Sequence, residues 1–364
     1  MKRRTRWLLG IPVALLMVLV AGGWVLLGTQ AGLRWALALA EDVMPGTLHI
    51  ASAQGRLAGP LVLGGVDYRH HGTVITLERV RFDWSPGALL AGTLRIDVLH
   101  LDGGRLTLPA AAKSSSSPAS APALPAGLPL AVRVVDGRLR DITVVRAGAK
   151  PVDIRQLTLK GILRKDHLNI GTLAVTLPEA SAHLGGTLGL APKVQTALDF
   201  GWRVELADRP PAAGKGTVWG DWSALNVEQD VTQPTPVHIK ASIEQPLKAP
   251  RWQLSLTIPP LRLQQLDPAW GAGTLAAQLH AHGTLTDLAL DGTVYTDADA
   301  QKPYPVTLSV QLSRQPAGII NIARLAVKLP QQGAALDVTG RLTEATRGFD
   351  LHARWQQLAW PLQG

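Results

Sequence analysis

Apolar and polar residues alternate along most of the chain after residue 47. Four well-separated segments show the alternation without a break, at 237–243, 252–258, 275–281 and 306–312. Successive side chains of a β-strand point to opposite faces of its sheet, so each segment predicts a strand with one apolar and one polar face. The pattern therefore predicts an all-β body.

Glycine and proline mark the expected connections between these strands. Short pairs at Asp136-Gly137, Gly185-Gly186 and Asp291-Gly292 favour tight turns, and hence antiparallel hairpins. Pro259-Pro260 predicts a break in the strand pattern. A short helical or irregular crossover is expected after it, marked by Leu263, Leu266 and Pro268.

A six-residue motif is repeated in the body. Leu-Ala-Val-Thr-Leu-Pro at 173–178 recurs as Leu-Ala-Val-Lys-Leu-Pro at 325–330, and a strand with a Trp follows each copy (Trp202 and Trp355). The repeat favours an elongated, stacked sheet. Residues 110–129 are almost all Ala, Ser and Pro, which predicts a flexible, exposed insertion.

The N-terminal residues have a different pattern. Four basic residues precede an uncharged stretch from Trp7 to Leu27, close to the roughly 20 residues that cross a bilayer core. The positive-inside rule places the N-terminus in the cytoplasm and the body on the other side. A cleaved signal peptide is the alternative, but the apolar stretch is longer than a usual signal and lacks a convincing cleavage site. An uncleaved anchor is expected.

A helix is expected directly after this stretch. Thr29 can cap it, Leu33 and Leu37 lie on one face, and Pro45-Gly46 ends it. The predicted organisation is a cytoplasmic segment 1–6, a transmembrane helix 7–27, a membrane-proximal helix 29–44, a first β segment 47–109, the insertion 110–129, and a repetitive β segment 130–364 that we expect to continue beyond the chain end.

Composition narrows the function classes. Apolar residues make up 46% of the chain, enough to form a core, and the 36 Gly and 26 Pro suit many short strands. The absence of Cys excludes disulfides, thiolate metal sites and a Cys nucleophile. The net charge is +9, but four of the basic residues precede the apolar stretch and the rest are spread thinly. A nucleic-acid partner is not expected.

No residue pattern indicates catalysis. His280 and His282 share a strand face and could hold a metal as a pair, but no nearby carboxylate completes a site. Nucleophile-elbow, metalloprotease and phosphate-loop motifs are absent from the sequence. We expect no enzyme activity, no metal and no cofactor. The Trp residues are expected to cap strand ends rather than form a membrane-interface belt.

The apolar faces need a partner. Past Pro45 the sequence predicts no helix longer than about two turns that could cover them, which leaves a sandwich or a curled sheet with an apolar groove. Acyl chains are the natural occupant of such a groove, with lipid entry expected at Leu33 and Leu37. The residues expected to line the groove are Leu173, Val175, Leu177, Ile239, Ile243, Leu254, Leu256, Ile258, Leu275, Leu279, Leu308 and Val310.

Several motifs within residues 1–108 resemble the N-terminal part of the TamB family, large bacterial envelope proteins related to AsmA. Gly-Thr-Gln-Ala-Gly-Leu-Arg-Trp at 28–35 directly follows the apolar stretch. The other matching motifs are Gly-Arg-Leu-Ala-Gly-Pro-Leu-Val-Leu at 55–63 followed by Tyr68, Asp-Trp-Ser-Pro at 83–86, Leu-Arg-Ile at 94–96, and Leu-Asp-Gly at 101–103.

The resemblance implies a fold and a role. Members are single-pass inner-membrane proteins that cross the periplasm as an elongated, curled antiparallel sheet, a β-taco with a hydrophobic groove. They are implicated in phospholipid transport to the outer membrane and in assembly of outer-membrane proteins and autotransporters. The implied partners are phospholipid acyl chains, the inner membrane and a TamA-like Omp85 barrel, engaged through a C-terminal region not present here. The alternative is a secretion scaffold that acts by β-strand augmentation without lipid transport.

Overall fold

The computed structural model describes residues 28–109, 130–207, 209–265, 273–297, 304–315, 318–343 and 348–357. The predicted transmembrane segment 7–27 and the insertion 110–129 lie outside these ranges. None of the helices in the described part is both long and apolar enough to span a membrane. The rest of the described fold is β-structure, in two compact units that divide after Pro178.

An α-helix, α1 (Gln30–Val43), opens the described chain. Thr29 caps it as the sequence predicts, because its hydroxyl oxygen accepts a hydrogen bond of 3.1 Å from the backbone N–H of Gly32. At the other end the N–H of Met44 donates to the carbonyl of Ala40. Leu33 is fully buried, and the helix packs along the first strand of the sheet.

The first unit contains seven described strands. They are β1 (Thr47–Gly55), β2 (Leu61–His70), β3 (Thr73–Ser85), β4 (Thr93–Leu108), β5 (Ala131–Arg146), β6 (Val152–Leu163) and β7 (His167–Thr176). Each pairs with the next along the chain. All of these pairs are antiparallel except β4–β5, which is parallel from Thr93 opposite Ala131 to Leu108 opposite Arg146.

The parallel pair corrects the expectation of an antiparallel sheet throughout. A hairpin turn joins strands that run in opposite directions, whereas parallel strands need a crossover of a dozen or more residues. The connection between Leu108 and Ala131 contains 22 residues, enough to return the chain to the end at which β4 begins. The Ala, Ser and Pro composition of this connection gave no sign of strand direction.

The second unit contains twelve described strands, each antiparallel to the next. They are β8 (Ala180–Gly189), β9 (Thr196–Val204), β10 (Ala212–Asp221), β11 (Ala224–Gln233), β12 (Val237–Glu244), β13 (Arg251–Arg262), β14 (Thr274–Gly283), β15 (Asp287–Asp297), β16 (Tyr304–Gln315), β17 (Ile319–Leu329), β18 (Ala334–Thr343) and β19 (Gly348–Gln356). The predicted all-β class is confirmed, and the predicted antiparallel pairing is confirmed for every described strand pair except β4–β5.

The expected turns at Asp136-Gly137, Gly185-Gly186 and Asp291-Gly292 are wrong, because these pairs lie inside β5, β8 and β15. Glycine at these positions allows the neighbouring strand to approach closely. A Cβ on Gly292 would lie 2.6 Å from Cδ2 of Leu279 on β14 and would also clash with the Gln278 carbonyl. Gly186 has a φ of +112°, which only glycine adopts easily.

The expected break at Pro259-Pro260 is also wrong, because β13 continues to Arg262. The two prolines lie where the register with β14 shifts between Ile258 and Leu261. Proline has no N–H to donate, so a bulge is one of the few places where a paired strand accepts it. A short 3₁₀ helix, Leu263–Gln265, follows, and Leu266 and Pro268 lie outside the described residues.

Both copies of the repeated motif lie at the end of a strand. At 173–178 it completes β7, and at 325–330 it completes β17, with a proline just after the strand in both copies. The Trp-bearing strands β9 and β19 each follow two strands later. The repeat therefore corresponds to a recurring piece of the strand order.

Candidate functional site

Apolar side chains form unbroken rows on one face of β12–β17. Opposite residues in paired strands lie on the same side of a sheet, so the register shows which side chains are neighbours. One row contains Ile239, Leu256, Leu279, Gly292, Leu308 and Val327. The row beside it contains Ala241, Leu254, Ala281, Leu290, Val310 and Leu325. We call the surface formed by these two rows and their same-side neighbours the apolar face.

Nine of the twelve predicted groove residues lie on the apolar face. They are Ile239, Ile243, Leu254, Leu256, Ile258, Leu275, Leu279, Leu308 and Val310. The other three belong to the first unit. Leu173 and Val175 of β7 lie opposite Leu159 and Leu157 of β6, and Leu177 follows the end of β7.

Within the described part of the unit no α-helix covers the apolar face, because the secondary structure other than strands consists of two short 3₁₀ helices. All nine of the predicted residues on it are half-buried. A sheet with one apolar side normally buries that side against another layer. Six adjacent strands at about 4.8 Å spacing make the two rows roughly 24 Å long.

Aromatic rings on this side of the second unit lie over glycines of the neighbouring strand. Phe200 covers Gly216, and Trp202 covers Gly214, so that an added Cβ would come within 2.6 and 3.0 Å of the rings. Trp252 covers Gly283 in the same way, at 3.0 Å. Such rings shield the bare backbone of a glycine.

Three Trp residues hold strand ends, as the sequence predicts. The indole N–H of Trp84 donates to the carbonyl of Leu57 at 2.7 Å. Those of Trp222 and Trp252 donate to the carbonyls of Gly189 and Thr284 at 2.8 and 3.0 Å. Other Trp residues do not follow this pattern, since Trp35, Trp219 and Trp355 are exposed.

The model of the TamB N-terminal domain matches the chain over residues 16–146 and 113–335. Together the two stretches include α1 and the strands up to β17. The chain belongs to the TamB family. No curated protein and no solved structure matches it. The TamB family is broadly associated with the membrane, with a TamA partner and with lipid transport.

The opposite face of the same strands in this TamB family member is polar. Lys240 forms an ion pair of 2.9 Å with Glu228, and Nδ1 of His280 lies 3.0 Å from the Ser255 hydroxyl. Within the described residues, no three His, Cys, Asp or Glu side chains come together in a way that could hold a metal ion. This face therefore carries ordinary cross-strand polar pairs, and the two faces differ sharply in chemistry.

A pocket of about 620 Å³ lies at one end of β12–β16, and the sequence gave no signal for it. Apolar Trp252, Leu288 and Leu312 line it together with polar Arg251 and His282. These residues come from the four strands β13–β16. They are far apart in the sequence, and the pairing register of the strands places them side by side.

The two predicted lipid-entry residues have different surroundings. Leu33 is fully buried, so it packs α1 and is not open to a ligand. Leu37 is half-buried and lines a cleft of about 480 Å³ with Arg34 and Glu41 of α1 and residues 50–54 of β1. A role in lipid entry thus stays a prediction for Leu37, whereas a charge at Leu33 would first disturb folding.

In the first unit the main polar cluster lies at the parallel pair. Nε2 of His100 on β4 is 2.9 Å from one oxygen of Asp136 on β5, and Nε of Arg138 donates to the other oxygen at 3.0 Å. Partial burial acts to raise the pKa of Asp136. The His100 hydrogen bond and the Arg138 charge outweigh it, so the pKa lies below its ordinary value.

Proposed function

We propose that this chain is an inner-membrane-anchored periplasmic protein whose apolar face carries phospholipid acyl chains between the inner and outer membranes, and thereby supports assembly of outer-membrane proteins. In this proposal the N-terminus is cytoplasmic and the β-body periplasmic, and the protein binds and conducts its ligand without catalysis. One observation carries the proposal. Two unbroken apolar rows cross six strands, and no α-helix covers them in the described part of the unit.

The chemistry of the rows suits a moving ligand. Each buried methylene of an acyl chain contributes about 0.8 kcal/mol, so a chain lying on the rows gains affinity without any directional bond. The rows contain Ile, Leu, Val, Ala and Gly, and successive positions offer an acyl chain nearly the same surface. A ligand held equally well at neighbouring positions can shift between them over small barriers.

Charged substitutions on the two faces of β13 test the proposal. Leu254→Glu with Leu256→Glu places two carboxylates on the apolar face, and Ser255→Glu with Thr257→Glu places two on the polar face of the same strand. We expect the first pair to reduce phospholipid co-purified with the full-length protein at least fivefold, because an acyl chain cannot compensate a desolvated charge. The measurement is mass spectrometry of lipid extracted after exchange into a lipid-free amphipathic polymer.

The control pair should retain lipid and have the same circular dichroism spectrum and thermal midpoint as the parent. Equal lipid content in both pairs, with both folded, would contradict the proposal.

The alternative, an assembly scaffold that pairs with incoming β-strands, has one observation in its favour. Within the described residues β19 pairs along one side only, with β18. All nine of its residues are exposed, including Phe349, Leu351 and Trp355. Open strand edges bind extended peptides through backbone hydrogen bonds. Photo-crosslinks from β19 to outer-membrane proteins, combined with unchanged lipid content in the charged variants, would favour this alternative.

A further inference from the structure

The helix α1 has two apolar sides, and only one of them packs on the sheet. Leu33, fully buried, and Leu37, half-buried, form the side toward β1. Away from that side Trp35, Leu39 and Val43 are exposed by 58%, 46% and 72%. A spacing of four residues brings these three side chains onto one strip of the helix surface. We call them the outer stripe.

The outer stripe is large for a surface that faces water. The 14-residue helix is about 21 Å long, and the stripe runs from its second turn to its last. Exposed apolar residues scattered singly are normal, but a contiguous stripe indicates a binding surface. Tryptophan also suits a membrane interface, where its ring meets acyl chains and its N–H meets water.

The position of α1 along the chain indicates what covers the outer stripe. The uncharged stretch Trp7 to Leu27, long enough for a bilayer core, ends three residues before the helix begins. Thr29 between them has φ −119° and ψ 156°, an extended conformation that interrupts any continuous helix. The axis of α1 can therefore take a direction of its own and lie along the membrane surface.

We propose that α1 is an interfacial helix, with Trp35, Leu39 and Val43 inserted at the boundary between headgroups and acyl chains of the bilayer. Its opposite side binds β1, so the helix holds the first edge of the β-body against the membrane. The helix has one basic residue, Arg34, and two acidic residues, Glu41 and Asp42. The attachment is therefore apolar and needs no anionic lipid. This goes beyond the proposed lipid carriage and does not depend on it, although it rests on the membrane anchor of the proposed function.

The natural absence of Cys allows the inference to be tested with single labels. Leu39→Cys reports on the outer stripe. Ala38→Cys is the matched control, because Ala38 is an exposed neighbour that lines the cleft beside Arg34 and Glu41. Each full-length variant carries an environment-sensitive fluorophore and is reconstituted in phosphatidylethanolamine–phosphatidylglycerol vesicles, with the β-body outside. Quenching by lipids with nitroxide-labelled acyl chains is compared with quenching by aqueous iodide.

We expect the label at position 39 to be quenched at least threefold more strongly by the nitroxide lipids than the label at 38, with the reverse order for iodide. Quenching of each label should change less than twofold when the vesicles contain phosphatidylcholine alone, which has no anionic headgroup. Equal access of iodide to both labels would overturn the inference. Protection of position 39 from both quenchers would overturn it too, because a protein surface would then cover the stripe. Neither outcome bears on lipid binding by the apolar face.

Discussion

The parallel junction of the first unit and the apolar face of the second unit differ in how the chain uses its side chains. At the junction of β4 and β5, His100 and Arg138 contact the same Asp136 carboxylate. These contacts are directional, and the one from His100 crosses the strand pair. Across β12–β17 the neighbours are Leu, Ile, Val and Ala, repeated from strand to strand with glycine where the backbones come close.

We call the β4–β5 junction the fixed part of the molecule and the apolar rows of β12–β17 the uniform part. A charged cluster specifies one register and one pair of strands, which suits a place where the strand direction changes. Uniform apolar rows specify little beyond which side is apolar, and that suits a surface for a ligand with no directional bonds. The uniform part should thus tolerate exchanges among apolar residues and fail when backbone spacing or polarity changes.

The largest loss of stability should come from substitution of Gly292, which lies at the centre of one apolar row. A Cβ there would clash with the Gln278 carbonyl and the Leu279 side chain, and such overpacking costs about 1–3 kcal/mol. We expect Gly292→Ala to lower the free energy of unfolding by that amount in urea titration. Gly87→Ala is the control, because a Cβ at Gly87 would meet nothing within 4 Å. Equal effects of the two substitutions would show that backbone spacing does not limit this face.

A smaller effect is expected at the junction. Because the pKa of Asp136 is lowered in the folded protein, its charge stabilises the fold above the ordinary pKa of 3.8. That contribution disappears as the pH falls through the folded-state pKa. We expect Asp136→Asn to lower the free energy of unfolding at pH 7 by about 0.5–1 kcal/mol, the size typical of partly exposed pairs. Denaturant titrations between pH 2 and pH 7 measure it.

The difference between Asp136→Asn and the parent should narrow as the pH falls below 4. Asp67→Asn serves as the control, because Asp67 pairs with Arg69 of its own strand at a more exposed site. A stability difference at Asp136 that stays constant from pH 7 to pH 2 would show that the carboxylate charge does not hold the junction.

The sequence predicted the uniform part better than the fixed part, for a physical reason. Alternation reports the face of each side chain directly, so residues from Ile239 to Val310 could be assigned to one surface before the register was known. Strand direction leaves no such trace, so the β4–β5 pair was missed. The pair Asp-Gly occurs both in turns and inside strands. Only the close contact between Gly292 and Leu279 shows that Asp291-Gly292 lies inside a strand. Likewise the sequence places Leu33 and Leu37 on one helix face. Only the packing of the folded protein shows that Leu33 is fully buried and Leu37 half-buried.

Direct contact between phospholipid and the apolar face is the central claim, and photo-crosslinking in living cells tests it most directly. A photoreactive phenylalanine analogue replaces Leu256 or Leu308 on the apolar face, or Thr257 or Ser309 on the polar face of the same strands. After irradiation, mass spectrometry of the full-length protein measures attached phospholipid. We expect adducts at Leu256 and Leu308 and at most one-tenth as much at Thr257 and Ser309. Equal labelling of the two faces, or none on the apolar face, would contradict the account.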